Sequence, residues 1–371
     1  MPPPPTFTGL ATQNTHYASD ADDPDVAPGS QNRLVVYRVT TRSLPMALLH
    51  TMLKAFRPKV VTVKKHLPGD SQRLTPNRSA KRTCDVRERD VAGIWVYDVT
   101  AKGAVSKEGA AEFRPEKRII YFAGGAWQMP PSPNHWAMVA ALATRLPDTV
   151  ITLVSAPLAP KAPASVSLPQ LRRMYSALMR ESRDNGERVV VMGDSSGGNI
   201  SLSLVTWAAT SSSYQAQAGT APAAVMLISP STDLRHAESS IHEAAKYDPL
   251  LTLSYIQSTA RTWCPSDSRN PSSSQTVNPT MWTVEDPAIS PILAPLEPLA
   301  KKDIRVHGVT GSYDVLAPEA VAFREKLQAA GVRGEWLEWD KQMHCFPLAF
   351  RFKLKESVRA LDWIVDVLVR T

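Results

Sequence analysis

The sequence predicts an α/β protein: a mostly parallel sheet flanked by helices, capped by the N-terminal segment and an insertion at about residues 231–290. Three observations carry this expectation. Short β-branched runs alternate with helical patterns through the C-terminal two-thirds of the chain, the order of a parallel sheet covered on both faces. One run, ERVVVMGDSSGGNISLSLVTWAA at Glu187–Ala209, passes from strand to helix through a single glycine-bearing turn. The alternation then breaks over 231–290, where Ser, Pro and Asn crowd together.

In chain order, residues 1–32 are rich in Pro, Asp, Asn, Ser and Thr and read as a flexible arm. Residues 33–91 read as an N-terminal cap segment: a strand-like run Leu34–Val39, an amphipathic helix Pro45–Phe56, then a basic, turn-rich stretch. The helix carries Met46, Leu48, Leu49, Met52, Leu53 and Phe56 at helical spacing. That face suits packing on the protein's own body, a pocket mouth or a membrane surface. The main domain is expected over 92–371, its first strand at Ile94–Val99. Strands are predicted at Arg118–Phe122, Thr149–Val154, the elbow run, Ala224–Ile228, Asp303–Val309 and Glu335–Trp339. Helices are predicted at His135–Leu146, Leu168–Arg183, Leu251–Thr262 in the insertion, Pro318–Ala330 and Glu356–Val369.

Composition narrows the class. The chain has 371 residues, 43% hydrophobic and 21% charged, enough for one large domain with a cap. The net charge of +7 comes from a basic N-terminal third without interleaved aromatics, so no nucleic-acid partner is expected. Cys84, Cys264 and Cys345 are too scattered for a disulfide framework or a zinc site. No leader pattern and no apolar run of membrane-spanning length stand out, which gives a cytoplasmic expectation.

The turn in the elbow run reads Gly193, Asp194, Ser195, Ser196, Gly197: G-x-S-x-G between a strand and a helix. That context lifts a serine out of the sheet, at a helix N-terminus that favours negative charge. GDSSGG also looks like the serine loop of chymotrypsin-like proteases, but those carry histidine and aspartate upstream, on a β-barrel. A nucleophilic serine needs a base and a group to orient it. Of eight histidines, His344 alone follows a late strand in a loop. His16 lies in the arm, His50 and His66 in the N-terminal region, His135 at a helix start, His236 and His242 in the insertion, and His307 inside a strand. The acid should lie between serine and histidine at another strand end. Asp314 fits; Asp340 sits only four residues before His344, and Asp233 and Asp286 belong to the insertion. Backbone N–H groups for an oxyanion are expected from Gly124, Gly125 and Ala126 in YFAGGAW and from Ser196.

Together these motifs resemble the hormone-sensitive-lipase-like esterases of the α/β-hydrolase superfamily. GDSSGGN is similar to that family's GDSAGGN, YFAGGAW to YFHGGGW, DPAISPILAPLEPL to DPxxSPLxAxLxxLPP, and MHCF to MxHGF. GSYDVLAPEAVAFREKLQAAGV is similar to the family's aspartate segment and its following helix. VAGIWVYDV resembles fungal steryl-acetyl-hydrolase-like members, and the whole likeness covers roughly 92–370. The resemblance implies an α/β-hydrolase fold and a serine carboxylic-ester hydrolase that needs no metal or organic cofactor. Its implied substrate is a small hydrophobic ester, extending to an acetyl ester of a sterol or secondary metabolite, and its implied assembly a monomer or homodimer. Acyl transfer, lactone chemistry or cyclisation on the same scaffold is the alternative, and a ligand-binding receptor a more distant one. Ala123 stands where the family has the histidine that pins the oxyanion loop, Ala126 for its third glycine, and Cys345 for glycine after the base. The loop is therefore expected to be present but less firmly held.

Overall fold

The computed structural model describes residues 18–19, 33–60, 69–104, 114–217, 220–265 and 282–371. Apart from Ala18–Ser19, the arm expected over 1–32 lies outside them, as does 266–281 of the insertion. The strands are β1 (Ala18–Ser19), β2 (Leu34–Val39), β3 (Cys84–Val91), β4 (Ile94–Ala101), β5 (Lys117–Phe122), β6 (Thr149–Val154), β7 (Arg188–Asp194), β8 (Ala224–Ile228), β9 (Arg305–Tyr313) and β10 (Gly334–Met343). They form one sheet in the order β1-β2-β10-β9-β8-β7-β5-β6-β4-β3. Every pairing from β2 across to β6 is parallel, and only the edge pairs β1–β2, β6–β4 and β4–β3 are antiparallel.

The helices are α1 (Leu44–Val60), α2 (Arg78–Thr83), α3 (Pro133–Arg145), α4 (Ala164–Asn185), α5 (Ser196–Thr210), α6 (Ser212–Gln217), α7 (Ile241–Tyr247), α8 (Leu253–Trp263), α9 (Glu297–Lys301), α10 (Ala317–Ala329) and α11 (Lys355–Arg370). Alternation along the central strands sorts the core into two layers. Ile120, Phe122, Val191, Val225 and Leu227 face α4, α5 and α10, through Leu171, Leu204 and Phe323 among others. Ile119, Tyr121, Val190, Met192 and Met226 face α3 and α11, through Trp136, Val139, Leu361 and Ile364. Side chains buried on both faces explain why these strands read as continuous apolar runs.

The segment 33–91, expected as cap, divides in the structure. β2 extends the main sheet by pairing with β10 from Gly334↔Leu34 to Trp339↔Val39. β3 forms a hairpin with β4 through Ala92 and Gly93, both at positive φ. β3 escaped the sequence reading because CDVRERDV is an edge strand whose polar residues outnumber its apolar ones. α1 lies off the sheet, against α7. It grips α7 through Lys54 Nζ, which donates 2.8 Å to the Lys246 carbonyl, and through Arg57, which donates to the Ala245 and Asp248 carbonyls. Among the described residues of 231–290 the helices are α7 and α8, the latter close to the helix expected at Leu251–Thr262.

Candidate active site

β7 delivers its last residues into the turn, and the chain enters α5 one residue later. Ser195 sits there at φ 53, ψ −121, a conformation that strains any side-chain-bearing residue and persists only where the surroundings impose it. The flanking glycines are obligatory. A Cβ on Gly193 would lie 2.3 Å from the Gly197 carbonyl oxygen, and one on Gly197 would lie 2.0 Å from that of Phe122. Neighbouring backbone holds the turn: Ser195 N–H donates to Ile228 O at 2.9 Å, and Ser231 N–H donates to Ser195 O at 3.1 Å. Asn199, one α5 turn on, donates Nδ2 to the carbonyls of Ser231 and Ile289, at 3.0 and 2.9 Å, so the elbow helix also anchors the insertion.

The expected base and acid meet. His344 Nδ1 lies 2.9 Å from Asp314 Oδ2, in the loops that follow β10 and β9, and both residues are buried. The second Asp314 oxygen accepts the Leu316 N–H at 2.9 Å, so the carboxylate is fixed at both ends. Burial alone would lower the His344 pKa, but the Asp314 carboxylate at this distance holds it well above the ordinary histidine value. The rival acids are engaged elsewhere. Asp340 accepts Ser312 Oγ at 2.7 Å on the surface, Asp233 pairs with Arg235, and Asp286 accepts the Ala288 N–H.

The loop expected to receive an oxyanion departs from expectation in how it is held. Asp194, beside Ser195, accepts bonds from Tyr121 OH at 2.7 Å, Gly124 N–H at 3.0 Å and His135 Nε2 at 3.1 Å, with the Cys345 thiol a longer fourth donor. Burial would raise the Asp194 pKa, but His135, Tyr121 and Gly124 together hold it below the usual carboxylate range. His135 Nδ1 accepts the Ser132 N–H at 2.9 Å, so its proton sits on Nε2, facing Asp194. The loop that lacks the family's histidine at 123 is thus tied down through Asp194 instead. The Gly124 N–H, expected to serve an oxyanion, is already taken. Those of Gly125 and Ala126 have no partner among the described residues, and Ser196 begins α5 just after the nucleophile. Gly125 at φ 145 and Ala126 at φ 54 give this loop a backbone path of its own.

Cys345 stands where the family has glycine, at φ 51. Its N–H donates to Ser229 Oγ at 3.0 Å, and its Sγ lies 3.4 Å from His344 Nε2 and 3.8 Å from Asp194 Oδ2. Burial pushes this thiol up to about 12, so it stays protonated. Asp248, unremarked in the sequence, is a further buried carboxyl here. It accepts the N–H groups of Leu250, Leu251 and Val315, and burial beside Asp314 pushes it up to about 6.

Ser195, Ser196, Gly124, Gly125, Ala126 and His344 all line one cavity of about 240 Å³. Its walls are otherwise mainly apolar, from Trp127, Met129, Leu251, Ile256 and Leu316. Trp127 stacks on Trp263 of α8, with centroids 5.6 Å apart at 12°, so oxyanion loop and insertion share one wall. Among the described residues no group of His, Cys, Asp and Glu is arranged to hold a metal ion.

Comparison with known proteins agrees with this fold. A family model described as alpha/beta hydrolase fold matches residues 119–348, and the chain belongs to that family. An esterase of Acinetobacter venetianus is 26% identical over 240 residues, 65% of this chain and 71% of the relative. Esterase LipU of Mycobacterium tuberculosis is 26% identical over 268 residues, 72% and 80% of the two chains. An esterase from the bacterial hormone-sensitive lipase family superposes with TM-score 0.66 at 18% identity, over 88% of this chain and 98% of its own. An esterase/lipase from an uncultured bacterium superposes with TM-score 0.64 at 21% identity, over 88% and 97%. The protein is therefore an ester-hydrolysing enzyme of the α/β-hydrolase fold, similar to the hormone-sensitive-lipase-like esterases.

Proposed function

We propose that the protein is a serine carboxylic-ester hydrolase in which Ser195, His344 and Asp314 act as a triad. The observation that carries this is the 2.9 Å contact of His344 with buried Asp314, on a histidine that lines the same cavity as the strained Ser195. Ser195 Oγ attacks the ester carbonyl while His344 Nε2 takes its proton. The oxyanion is received by the N–H groups of Gly125, Ala126 and Ser196. The tetrahedral intermediate collapses as His344 returns the proton to the leaving alcohol, and Asp314 stabilises the imidazolium formed in between. Water then repeats the sequence on the acyl-enzyme.

Apolar walls around about 240 Å³ suit a short acyl group on a hydrophobic alcohol. An acetyl ester of a sterol or secondary metabolite, its alcohol reaching toward the mouth, is the substrate class we assign. A fluorophosphonate probe should label the wild type rapidly and Ser195→Ala not at all. Product analysis on a hydrophobic acetate, with and without an acceptor alcohol, should give free acetate in both cases. Labelling that survives Ser195→Ala would refute the triad, and an acetylated acceptor would make the enzyme a transferase.

The same geometry sets the pH profile. The base works only when neutral, and a raised pKa keeps His344 protonated to higher pH. The limb of kcat/KM should therefore lie on the alkaline side of 6.5, the ordinary histidine value, with activity rising as pH increases. A limb at or below that value, measured on a water-soluble ester, would contradict the His344–Asp314 pairing as the controlling ionisation.

A further inference from the structure

Among the described residues nothing covers a long apolar stripe on α1. Its inner side buries Met46 and half-buries Leu49 and Leu53 against the protein body. On the outer side Leu44 is 80% exposed, Leu48 66%, Met52 58% and Phe56 58%. These four recur every fourth residue, so they form one ridge along the helix. Single exposed apolar residues need no explanation, but four in register on one helix do.

The surroundings say what covers it. Ser43, just before α1, donates its N–H and Oγ to the Glu356 carboxylate, which brings the start of α1 to the start of α11. The chain entering α11 there reads Arg351, Phe352, Lys353, Leu354, Lys355. Phe352 is 67% exposed, and the three cations around it are exposed too. At the other end α1 is clamped to α7, where Tyr247 is 46% exposed beside exposed Lys246. Apolar side chains and cations therefore share this side of the molecule, with the Glu243 carboxylate already paired to Lys246 at 2.5 Å. A second copy of a chain with net charge +7 would be repelled here, whereas an anionic lipid headgroup layer would be drawn in.

We propose that α1, with Phe352 and its flanking cations, is a docking face for an anionic membrane surface. The helix lies in the interface with Leu44, Leu48, Met52 and Phe56 in the headgroup–acyl boundary, while the cations meet lipid phosphates. Docking there places the cap against the lipid. Arg57 holds the Asp248 backbone, and Asp248 holds the N–H of the cavity-lining Leu251, so the face that meets the lipid is two bonds from the substrate wall. An ester dissolved in the membrane would then enter from the side on which the enzyme rests.

The full chain should co-sediment with phosphatidylcholine vesicles containing phosphatidylglycerol, and about tenfold more weakly with pure phosphatidylcholine. Leu48→Glu with Met52→Glu should lower binding to the anionic vesicles about tenfold or more, as should Lys353→Glu with Lys355→Glu. Both pairs are exposed, so their melting temperature and their kcat on a dissolved short-chain ester should match the wild type. The proposal is overturned if the full chain binds neither vesicle, or if both pairs bind as the wild type does. It is also overturned if light scattering shows a dimer that Leu48→Glu with Met52→Glu dissociates, since a second copy would then own the stripe. Vesicle binding that appears only when residues 1–32 are deleted would assign the face to the arm instead.

Discussion

Ser195→Ala and His344→Ala should each lower ester turnover by roughly 10³-fold or more, and the double variant should be little worse than either. Non-additivity is the diagnostic part, because nucleophile and base perform one proton transfer and neither works alone. Asp314→Asn should also be severe. His344 Nδ1 would face an amide that can present an N–H instead of a fixed carboxylate, and the imidazole would lose the tautomer that leaves Nε2 able to accept. Asp340→Asn can still accept from Ser312 Oγ and loses only the exposed ion pair with Lys341 at 3.5 Å, so turnover should stay within about twofold. The measurement is kcat/KM for each on one soluble ester, with folding followed by thermal melt. If Asp340→Asn were the crippling change and Asp314→Asn the mild one, the acid would be misassigned despite the 2.9 Å contact.

The second large effect is expected at Asp194, which touches no substrate in the proposed mechanism. Asp194→Asn should destabilise the protein by about 2–4 kcal/mol and lower kcat about tenfold or more. The reason is a count of donors. The carboxylate receives Tyr121 OH, Gly124 N–H and His135 Nε2–H. An asparagine oxygen can take the first two, but its NH₂ then confronts His135, which cannot change tautomer while Nδ1 accepts the Ser132 N–H. One buried donor is left without an acceptor, and the loop carrying Gly125 and Ala126 loses its tether. Thermal melts and kcat test this together. An Asp194→Asn enzyme with wild-type melting and turnover would show that the loop is held by something other than this carboxylate.

The central strands were legible because burial on both faces leaves an apolar signature that nothing else in the chain imitates. Thr149–Val154 and Ala224–Ile228 match the structure residue for residue. The elbow was legible for a steric reason, since only glycine fits at 193 and 197, and the base followed from its place after a late strand. What stayed hidden depends on partners far away in sequence. His135 looked like a helix start and is the third residue of α3, capped by Ser132, yet its ring also reaches Asp194, 59 residues on. The commitment of the Gly124 N–H was equally invisible, because a motif shows which donors exist and not which are already occupied. The place of Leu34–Val39 in the sheet has the same origin: LVVYRV reads as a strand, but nothing local says that its neighbour is β10.

That pairing bears on how the chain is made. Arg38 and Glu338, joined across β2 and β10 by a 3.2 Å ion pair, are 300 residues apart. On a ribosome adding about 5–20 residues per second, β2 emerges roughly 15–60 s before the strand it must pair with. Throughout that interval an apolar, β-prone hexapeptide has only the two-residue β1 as a native neighbour, and the parallel side of β2 stays unpaired until nearly the whole chain has been synthesised. One of the earliest strands to be made, Leu34–Val39, is thus among the last to complete its pairing.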